Sequence, residues 1–183
     1  EPAMTRSRPL AAALLPAALL ATNATAQATP QCGFDWQTRE APGPLGAVWA
    51  TARMANGDLI ACGQFIAGGN IARFDGTSWS PIGAGLNDSA LCMTTMPNGN
   101  LVLGGNFTMA DGVLASHIAR FDGTTFHPFG TGLEVGNVAS LLVLPNGEVL
   151  AGGYSLYSGG VSMKGLARWD GNSWSPFFTG TTS

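Results

Sequence analysis

The sequence contains three tandem copies of one unit, and this repetition restricts the possible folds more than any other feature. Its clearest marker is a hexapeptide made of one apolar residue, Ala, Arg, an aromatic residue, Asp and Gly. It occurs at residues 71–76, 118–123 and 166–171, with a period of about 40–50 residues that is typical of propeller blades. Its arginines are Arg73, Arg120 and Arg168, and its aspartates are Asp75, Asp122 and Asp170.

Two further markers keep the same order in each copy. An Asn-Gly pair separates two apolar runs, and a glycine ends the second of these runs. An aromatic residue then follows each Asp-Gly pair. The glycines are Gly63, Gly105 and Gly153, and the aromatic residues are Trp79, Phe126 and Trp174.

Each copy predicts four short strands. In the third copy, strands are expected near residues 138–144, 148–151 and 165–169, with a fourth around Trp174. The Asn-Gly pair should supply the two positive-φ residues of a tight hairpin, and the Asp-Gly pair should turn the chain into the last strand. Four antiparallel strands at this period describe one blade of a β-propeller, so the predicted fold class is all-β. The three blades are predicted at about 45–88, 89–134 and 135–180.

A single four-stranded blade cannot cover both faces of its sheet, so neighbouring blades must stack. The fourth-strand aromatic residues are therefore predicted to pack between blades, and the innermost apolar strands to be buried on both faces. Each aspartate opens an Asp-Gly turn, which is a sufficient reason for its presence. Each arginine lies two residues before its aspartate and should point to the same face. We interpret this Arg-Asp pair as a structural link between blades, with a ligand-facing surface as the alternative.

These markers resemble the kelch repeats of the galactose-oxidase-like propeller superfamily. In that pattern a double glycine ends the second strand, an aromatic-Asp turn follows, and the fourth strand carries a Trp. The second and third copies resemble it, although Phe126 replaces the Trp, and the first copy departs from it with Cys62 before Gly63. The repeats are also similar to propeller repeats of secreted bacterial proteins and of the fungal cortical cell-polarity marker family. The resemblance implies a fold and leaves the function open, because propellers host binding, scaffolding and catalysis.

Residues 1–28 are predicted to be an N-terminal overhang and a signal peptide. Arg6 and Arg8 precede an apolar stretch near residues 10–21, and small residues follow at a spacing that suits cleavage. We therefore expect a secreted, periplasmic or cell-surface protein whose folded part is 29–183. A lone strand is expected near residues 34–44, ahead of the first blade.

Three blades do not close a propeller, because closed rings have about 4 to 8 blades. The expected architecture is an incomplete ring, completed either by further blades in a longer chain or by a homo-oligomer. Exported proteins also form disulfides. Cys62 ends a second strand and Cys92 lies in the first strand of the next copy, so these two are the favoured pair.

Charge and the scarcity of reactive side chains argue against several functions. A net charge of −3 with eight Lys and Arg residues disfavours nucleic-acid binding. The two histidines, His117 and His127, lack the spacing of a metal site, and no Ser stands in a G-x-S-x-G elbow. We therefore predict that the protein is not an enzyme and has no cofactor, no metal site and no membrane span.

The predicted function is to bind or scaffold a protein or carbohydrate partner. Propeller binding sites are generally built from loops, and the loops near residues 65–69, 108–116 and 155–164 differ between copies. Two alternatives stay open, namely a non-catalytic part of a larger secreted enzyme and a structural spacer in a large surface protein.

Overall fold

The computed structural model describes residues 46–65, 69–134 and 136–178. The predicted signal peptide and the lone strand near 34–44 lie outside these residues. The described residues form strands and no helix. The strands are β1 (Gly46–Arg53), β2 (Leu59–Phe65), β3 (Ile71–Phe74), β4 (Trp79–Pro81), β5 (Ala90–Thr95), β6 (Leu101–Gly105), β7 (Met109–Ala110), β8 (Val113–Leu114), β9 (Ile118–Phe121), β10 (Phe126–Pro128), β11 (Asn137–Val143), β12 (Val149–Tyr154), β13 (Tyr157–Ser158), β14 (Val161–Ser162), β15 (Leu166–Trp169) and β16 (Trp174–Pro176).

The longer of these strands build three four-stranded antiparallel sheets, one for each copy of the repeat. Their strand orders are β1-β2-β3-β4, β5-β6-β9-β10 and β11-β12-β15-β16. We call these sheets blade 1, blade 2 and blade 3. The prediction of an all-β fold with three four-stranded blades of an incomplete propeller is confirmed.

The three blades share one strand register, including an irregularity in the first strand. β1, β5 and β11 each carry a β-bulge at the same position, directly after Val48, Ala90 and Val138. A bulge bends its strand and increases the local twist. Because the register repeats, positions can be compared blade by blade, and Val48 corresponds to Ala90 and Val138.

The apolar core lies between blades. In β6, Leu101 and Leu103 pack in a core shared with blade 1, whereas Val102 packs in a core shared with blade 3. All three side chains are fully buried. β5 contacts both β1 and β11, so blade 2 is covered on both sides. A blade therefore obtains much of its stability from its neighbours.

The second strand of each blade is more buried than the first. β6 is buried along its whole length, whereas much of β1 is exposed, including Trp49. The expectation that the innermost apolar strands are buried on both faces is therefore wrong. The first strand forms an edge of its sheet, whereas the second lies between two strands in every blade and, in blade 2, also between two blades.

The Asn-Gly turns also differ from the predicted hairpin. In each pair only the glycine has a positive φ, which is 85° at Gly99 in blade 2. The Gly99 amide donates to the Met96 carbonyl at 2.9 Å, and the Met96 amide donates to the Asn100 carbonyl at 2.8 Å. This is a three-residue loop, a type I turn followed by a left-handed glycine. Pro97 favours it, because proline fixes φ near −65°, which suits the second position of a type I turn.

Two small hairpins extend the loops between the second and third strands of blades 2 and 3, and the sequence did not lead us to expect them. β7 pairs with β8, and β13 pairs with β14. Asp111 and Gly112 at the first hairpin tip both have positive φ, 49° and 78°, and so do Gly159 and Gly160 at the second. This is the two-residue turn that tight hairpins favour, and the Asp-Gly and Gly-Gly pairs in the sequence are typical of it.

Each hairpin is bonded to the end of the preceding blade. Asn87 Oδ1 accepts hydrogen bonds from the amides of Thr108 and Met109, both at 2.9 Å. Glu134 Oε1 accepts from the Gly159 amide at 3.0 Å, and the Glu134 amide donates to the Tyr157 carbonyl at 2.8 Å. The hairpins thus join neighbouring blades outside the apolar core.

The fourth-strand aromatic residues occupy equivalent positions but are buried to different extents. Phe126 lies in the core between blades 1 and 2, and Trp174 lies in the core between blades 2 and 3. The Trp174 indole also donates to the Phe129 carbonyl at 3.1 Å. Trp79 is half-buried against a small cluster on the far side of blade 1.

Replacing Trp174 by Ala is expected to destabilise the protein more than replacing Trp79. Truncation of a buried Trp costs about 3–5 kcal/mol and lowers the melting temperature by roughly 6–20 °C in a chain of this size. Trp79→Ala is the matched control, because its side chain is already half-exposed. Calorimetry of both variants measures the difference, and an unchanged melting temperature for Trp174→Ala contradicts burial between blades.

Candidate functional site

The connections between the strands of each blade lie at two opposite ends of the sheet. Because neighbouring strands are antiparallel, the Asn-Gly and Asp-Gly turns lie at one end of the sheets, which we call the turn end. The other connections lie at the opposite end, the loop end, which comprises residues 69–70, 82–89, 106–117, 129–134 and 154–165. The predicted binding loops 108–116 and 155–164 belong to the loop end, while residues 66–68 of the loop 65–69 lie outside the described residues.

The loop end carries exposed apolar side chains on both small hairpins and at the end of β12. Leu114 is 68% exposed in blade 2, and Tyr154 is 78% exposed in blade 3. These side chains differ in type, since blade 2 presents aliphatic groups and blade 3 adds two aromatic rings. A concentration of exposed apolar groups is typical of an interaction surface. The full set is Met109, Val113, Leu114, Tyr154, Tyr157 and Val161.

The backbone at the loop end adopts an uncommon conformation. Among the described residues, every non-glycine residue with a positive φ lies there: Asn70, Asp111, Ser116, His117, Ser155 and Lys164. Such conformations cost about 1–3 kcal/mol each and persist only where the surroundings hold them. At His117, for example, the amide donates to the Phe107 carbonyl at 2.8 Å. The loop end is therefore a fixed support for the two hairpins.

His117 is the one residue whose buried side-chain nitrogen, Nδ1, has no hydrogen-bond partner among the described residues. Desolvation lowers the pKa of His117 below its ordinary 6.5, while the nearby backbone groups of Asn106 and Gly105 and the charge of Asp88 oppose this shift. Blade 1 has Asn70 at the equivalent position, also with a positive φ. His117 is thus a half-buried structural residue, and its burial disfavours the protonated form of the ring.

The repeated aspartates are bonded within their own turns. Asp75 Oδ1 accepts from the amides of Thr77 and Ser78 at 2.8 and 2.9 Å. The hydrogen bond from the Thr77 hydroxyl, followed by those from the two amides, lowers the pKa of Asp75 to about 2. Asp122 and Asp170 make the same amide contacts. Each aspartate therefore stabilises the turn that connects the third and fourth strands.

The repeated arginines bond a different acid from the one expected. Arg73 Nε lies 2.6 Å from Asp58 Oδ2, and Arg168 Nε lies 3.0 Å from Glu148 Oε2. Both acids directly precede the second strand of the same blade, so these ion pairs lie within a blade. The sequence signal was the acid after the Asn-Gly pair, which we did not connect with the arginine. Blade 2 has Asn100 at this position, and its Arg120 pairs with Val102 across the two strands.

His127 takes part in a polar cluster at the turn end. Its Nε2 lies 2.7 Å from Asp122 Oδ2 and 3.1 Å from Thr125 Oγ1. The Thr125 amide and then the His127 ring hold the pKa of Asp122 well below its usual range. All of these groups are partly or fully exposed. The cluster resembles the other two Asp turns in its bonding, which is consistent with a structural role.

The disulfide between Cys62 and Cys92 is absent from the structure, in which both are free thiols. Cys62 lies in the core between blades 1 and 2, whereas Cys92 packs against the core between blades 2 and 3. Cys92 Sγ also lies 3.5 Å from the Val138 carbonyl oxygen of blade 3. The direction of the Cys92 side chain is the physical reason why the two thiols are not joined.

Three other features of the described residues bear on function. No three His, Cys, Asp or Glu side chains of these residues come together as metal ligands. A shallow groove at the turn end lies between the Asn-Gly turns of blades 2 and 3, next to Pro97 and Pro145. Nor does this part of the chain contain a helix with the length and apolar character needed to span a bilayer.

Comparison with known proteins supports the repeat architecture. A family model described as "Domain of unknown function (DUF5122) beta-propeller" matches residues 97–123, from the Asn-Gly turn of blade 2 to its Asp-Gly turn. Neither the curated proteins nor the solved structures gave a match. The chain is therefore similar, over this part, to a propeller family whose function is itself not defined.

The lowered pKa of His117 predicts a stability that depends on pH. Because the unfolded chain binds a proton near pH 6.5 more readily than the folded chain does, stability is complete above that pH and decreases as the pH falls through the lowered folded pKa. His117→Asn should remove this dependence and keep the fold, since Asn70 occupies the same backbone conformation in blade 1. Urea unfolding at pH 7.5 and 5.5 measures it. Equal pH dependence in both proteins contradicts the prediction.

Cys62 and Cys92 are expected to react slowly with thiol reagents in the folded protein and rapidly after unfolding. Burial raises the pKa of each thiol to about 12, with a further contribution from Cys92 at Cys62, so the reactive thiolate is scarce at neutral pH. Alkylation followed by peptide mass measurement, without reductant, tests this at both sites. Thiols that stay unreactive after unfolding and appear only on reduction would instead establish the disulfide.

Proposed function

We propose that this chain is an exported, non-catalytic segment of a kelch-like propeller that binds a protein or carbohydrate partner with its loop end. The supporting observation is the set of exposed apolar side chains on the two hairpins, at the end of the blades where the loops differ. The stacked sheets and locally bonded turns supply a rigid support for this surface. Export rests on the signal peptide that the first 28 residues predict.

Tyr154 is the strongest single candidate for a contact residue. This residue is 78% exposed at the end of β12, and Tyr157 lies nearby in the chain on β13. Tyrosine offers a large apolar ring and a hydroxyl at a low cost in side-chain entropy, and is enriched in binding surfaces. An aromatic ring with a polar edge suits the apolar face of a sugar as well as a protein surface.

The absence of catalytic chemistry is part of the proposal. The repeated aspartates and His127 already make structural contacts, the aspartates within their turns and His127 with Asp122. His117 is half-buried and disfavours its charged form. No cofactor is therefore included in the proposed activity.

Binding by the loop end predicts that Tyr154→Ala weakens partner affinity by about tenfold or more, which corresponds to about 1.4 kcal/mol. Trp49→Ala is the control, because it removes another exposed aromatic ring, from the first strand of blade 1. A glycan array tests carbohydrate partners, and a photo-crosslinking residue at position 154 tests extracellular protein partners. The proposal is contradicted if the folded wild-type chain gives neither an array signal nor an adduct specific to position 154, or if both variants lose affinity equally.

A further inference from the structure

We propose that Arg120 and the side-chain amide of Asn98 together bind the carboxylate of an Asp or Glu side chain of a partner protein. Both residues belong to the turn end of blade 2, so this site is separate from the loop end and goes beyond the function proposed for it. The repeat itself supplies the reason, because blades 1 and 3 contain the same two donors with a carboxylate of their own bound to them.

Blade 1 shows how the repeat holds a carboxylate. Asp58 follows the Asn-Gly pair, and its Oδ2 atom lies 2.6 Å from Arg73 Nε. The Asn56 Nδ2 group donates to the same oxygen, also at 2.6 Å. One carboxylate oxygen is therefore bound by a guanidinium and by the amide of the Asn-Gly pair.

Blade 3 repeats this arrangement with a longer acid. Arg168 Nε lies 3.0 Å from Glu148 Oε2. The hydrogen bond from Arg168 lowers the pKa of Glu148, and the side chain of Asn146 acts in the same direction. The same pair of donors thus holds an aspartate in one blade and a glutamate in another.

Blade 2 keeps the two donors and lacks the acid. Asn98 and Arg120 occupy the donor positions of the repeat, but Asn100 stands where blade 1 has Asp58. Within the part of the chain that the structure describes, neither the Arg120 guanidinium nor Asn98 Nδ2 has an acceptor. The replacement of an acid by an amide leaves this place one charge more positive than in blade 1.

Two neighbouring ionisable groups do not replace the missing acid. Asp122 comes two residues after Arg120, but its carboxylate accepts hydrogen bonds within its own turn and contacts the ring of His127. His127 pairs with Arg120 across β9 and β10, and its Nε2 atom is the one that contacts Asp122. The Arg120 guanidinium therefore keeps its donors available.

An incoming carboxylate fits beside Asn100. The Asn100 amide has nearly the shape of the Asp58 carboxylate, so a ligand approaches the guanidinium next to it and not in its place. Arginine has five N–H donors in a planar fork, and a carboxylate can contact two of them at once. Arg120 and Asn100 are half-buried, so part of each side chain is open to solvent. Asn100 can also donate from its own Nδ2 group.

The surroundings favour a peptide chain as the source of the carboxylate. Asn98 also lines the shallow groove between blades 2 and 3, next to the apolar side chains of Met96, Pro97 and Pro145. A segment with an acid beside apolar residues matches both the charge and the groove. The two carboxylates that this donor pair already binds are, moreover, carried by peptide backbone directly before a strand.

Titration of the isotope-labelled full chain with two short peptides tests the proposal. The peptides are acetyl-Leu-Glu-Leu-amide and its matched control acetyl-Leu-Gln-Leu-amide. We expect the Glu peptide to shift the Nε–Hε resonance of Arg120, but not those of Arg73 and Arg168, which have acids of their own. It should bind about threefold or more tightly than the Gln peptide. Glucuronate is the comparison for an acidic glycan.

Exchange of the acid between blades supplies the matched variants. Asn100→Asp gives blade 2 its own carboxylate and should abolish the preference for the Glu peptide, whereas Asp58→Asn should make Arg73 respond as well. Melting temperatures establish that both variants are folded. Because Asp58 is only 7% exposed, Asp58→Asn may unfold the chain, and Asn100→Asp then decides alone.

A control at the loop end keeps this test independent of the proposed function. Tyr154→Ala removes the candidate contact there and should leave the preference for the Glu peptide unchanged. Equal binding of the two peptides, an equal response of all three arginines, or a preference that survives Asn100→Asp overturns the proposal. Loss of the preference in Tyr154→Ala, or a shift of Arg120 with glucuronate alone, overturns it as well.

Discussion

The burial of apolar side chains between adjacent blades is the interaction on which the rest of this structure depends. Leu101, Val102 and Leu103 are successive residues of one strand, and they fill two different cores because side chains alternate across a strand. Burying each such side chain contributes about 1.5–3 kcal/mol. A separate four-stranded blade would expose both sets, so stability belongs to the stack of blades and not to the single sheet.

The strands and their stacking could be predicted because both follow from local patterns that recur in the sequence. Apolar runs ended by turn residues predicted strands that match β11 and β15 to within one residue and overlap β12 and β16. The burial of the first strands could not be obtained in this way, because an apolar run looks the same at the edge of a sheet as in its middle. The turn type was predictable in principle, since Pro97 and Pro145 directly precede the Asn-Gly pairs and lack the amide hydrogen that the residue before a two-residue hairpin turn donates.

The candidate site was only partly predictable, because its contacts join residues that are distant in sequence. The variable loops identified the loop end, but the hydrogen bonds from Asn87 to the following blade depend on how two repeats are placed. The arginine ion pairs show the same limit. Asp75 is two residues from Arg73 but is engaged by its own turn, whereas strand pairing brings Arg73 opposite Ile60 and close to Asp58.

The groups that hold each hairpin to its neighbour differ from the side chains that the hairpin exposes, and this explains how nearly identical sheets can present different surfaces. Each hairpin is held to its neighbour through backbone groups and through Asn87 or Glu134, not through the exposed side chains near its tip. Substitution of a mostly exposed residue such as Tyr154 changes stability little, usually within about 0.5 kcal/mol. What the hairpin does require is a turn with two positive-φ residues, which Asp111 and Gly112 supply in one blade and two glycines in the other. The exposed side chains are therefore free to vary from blade to blade while the faces that stack are not, and under the proposed function it is the differences between repeats at the loop end that would select the partner.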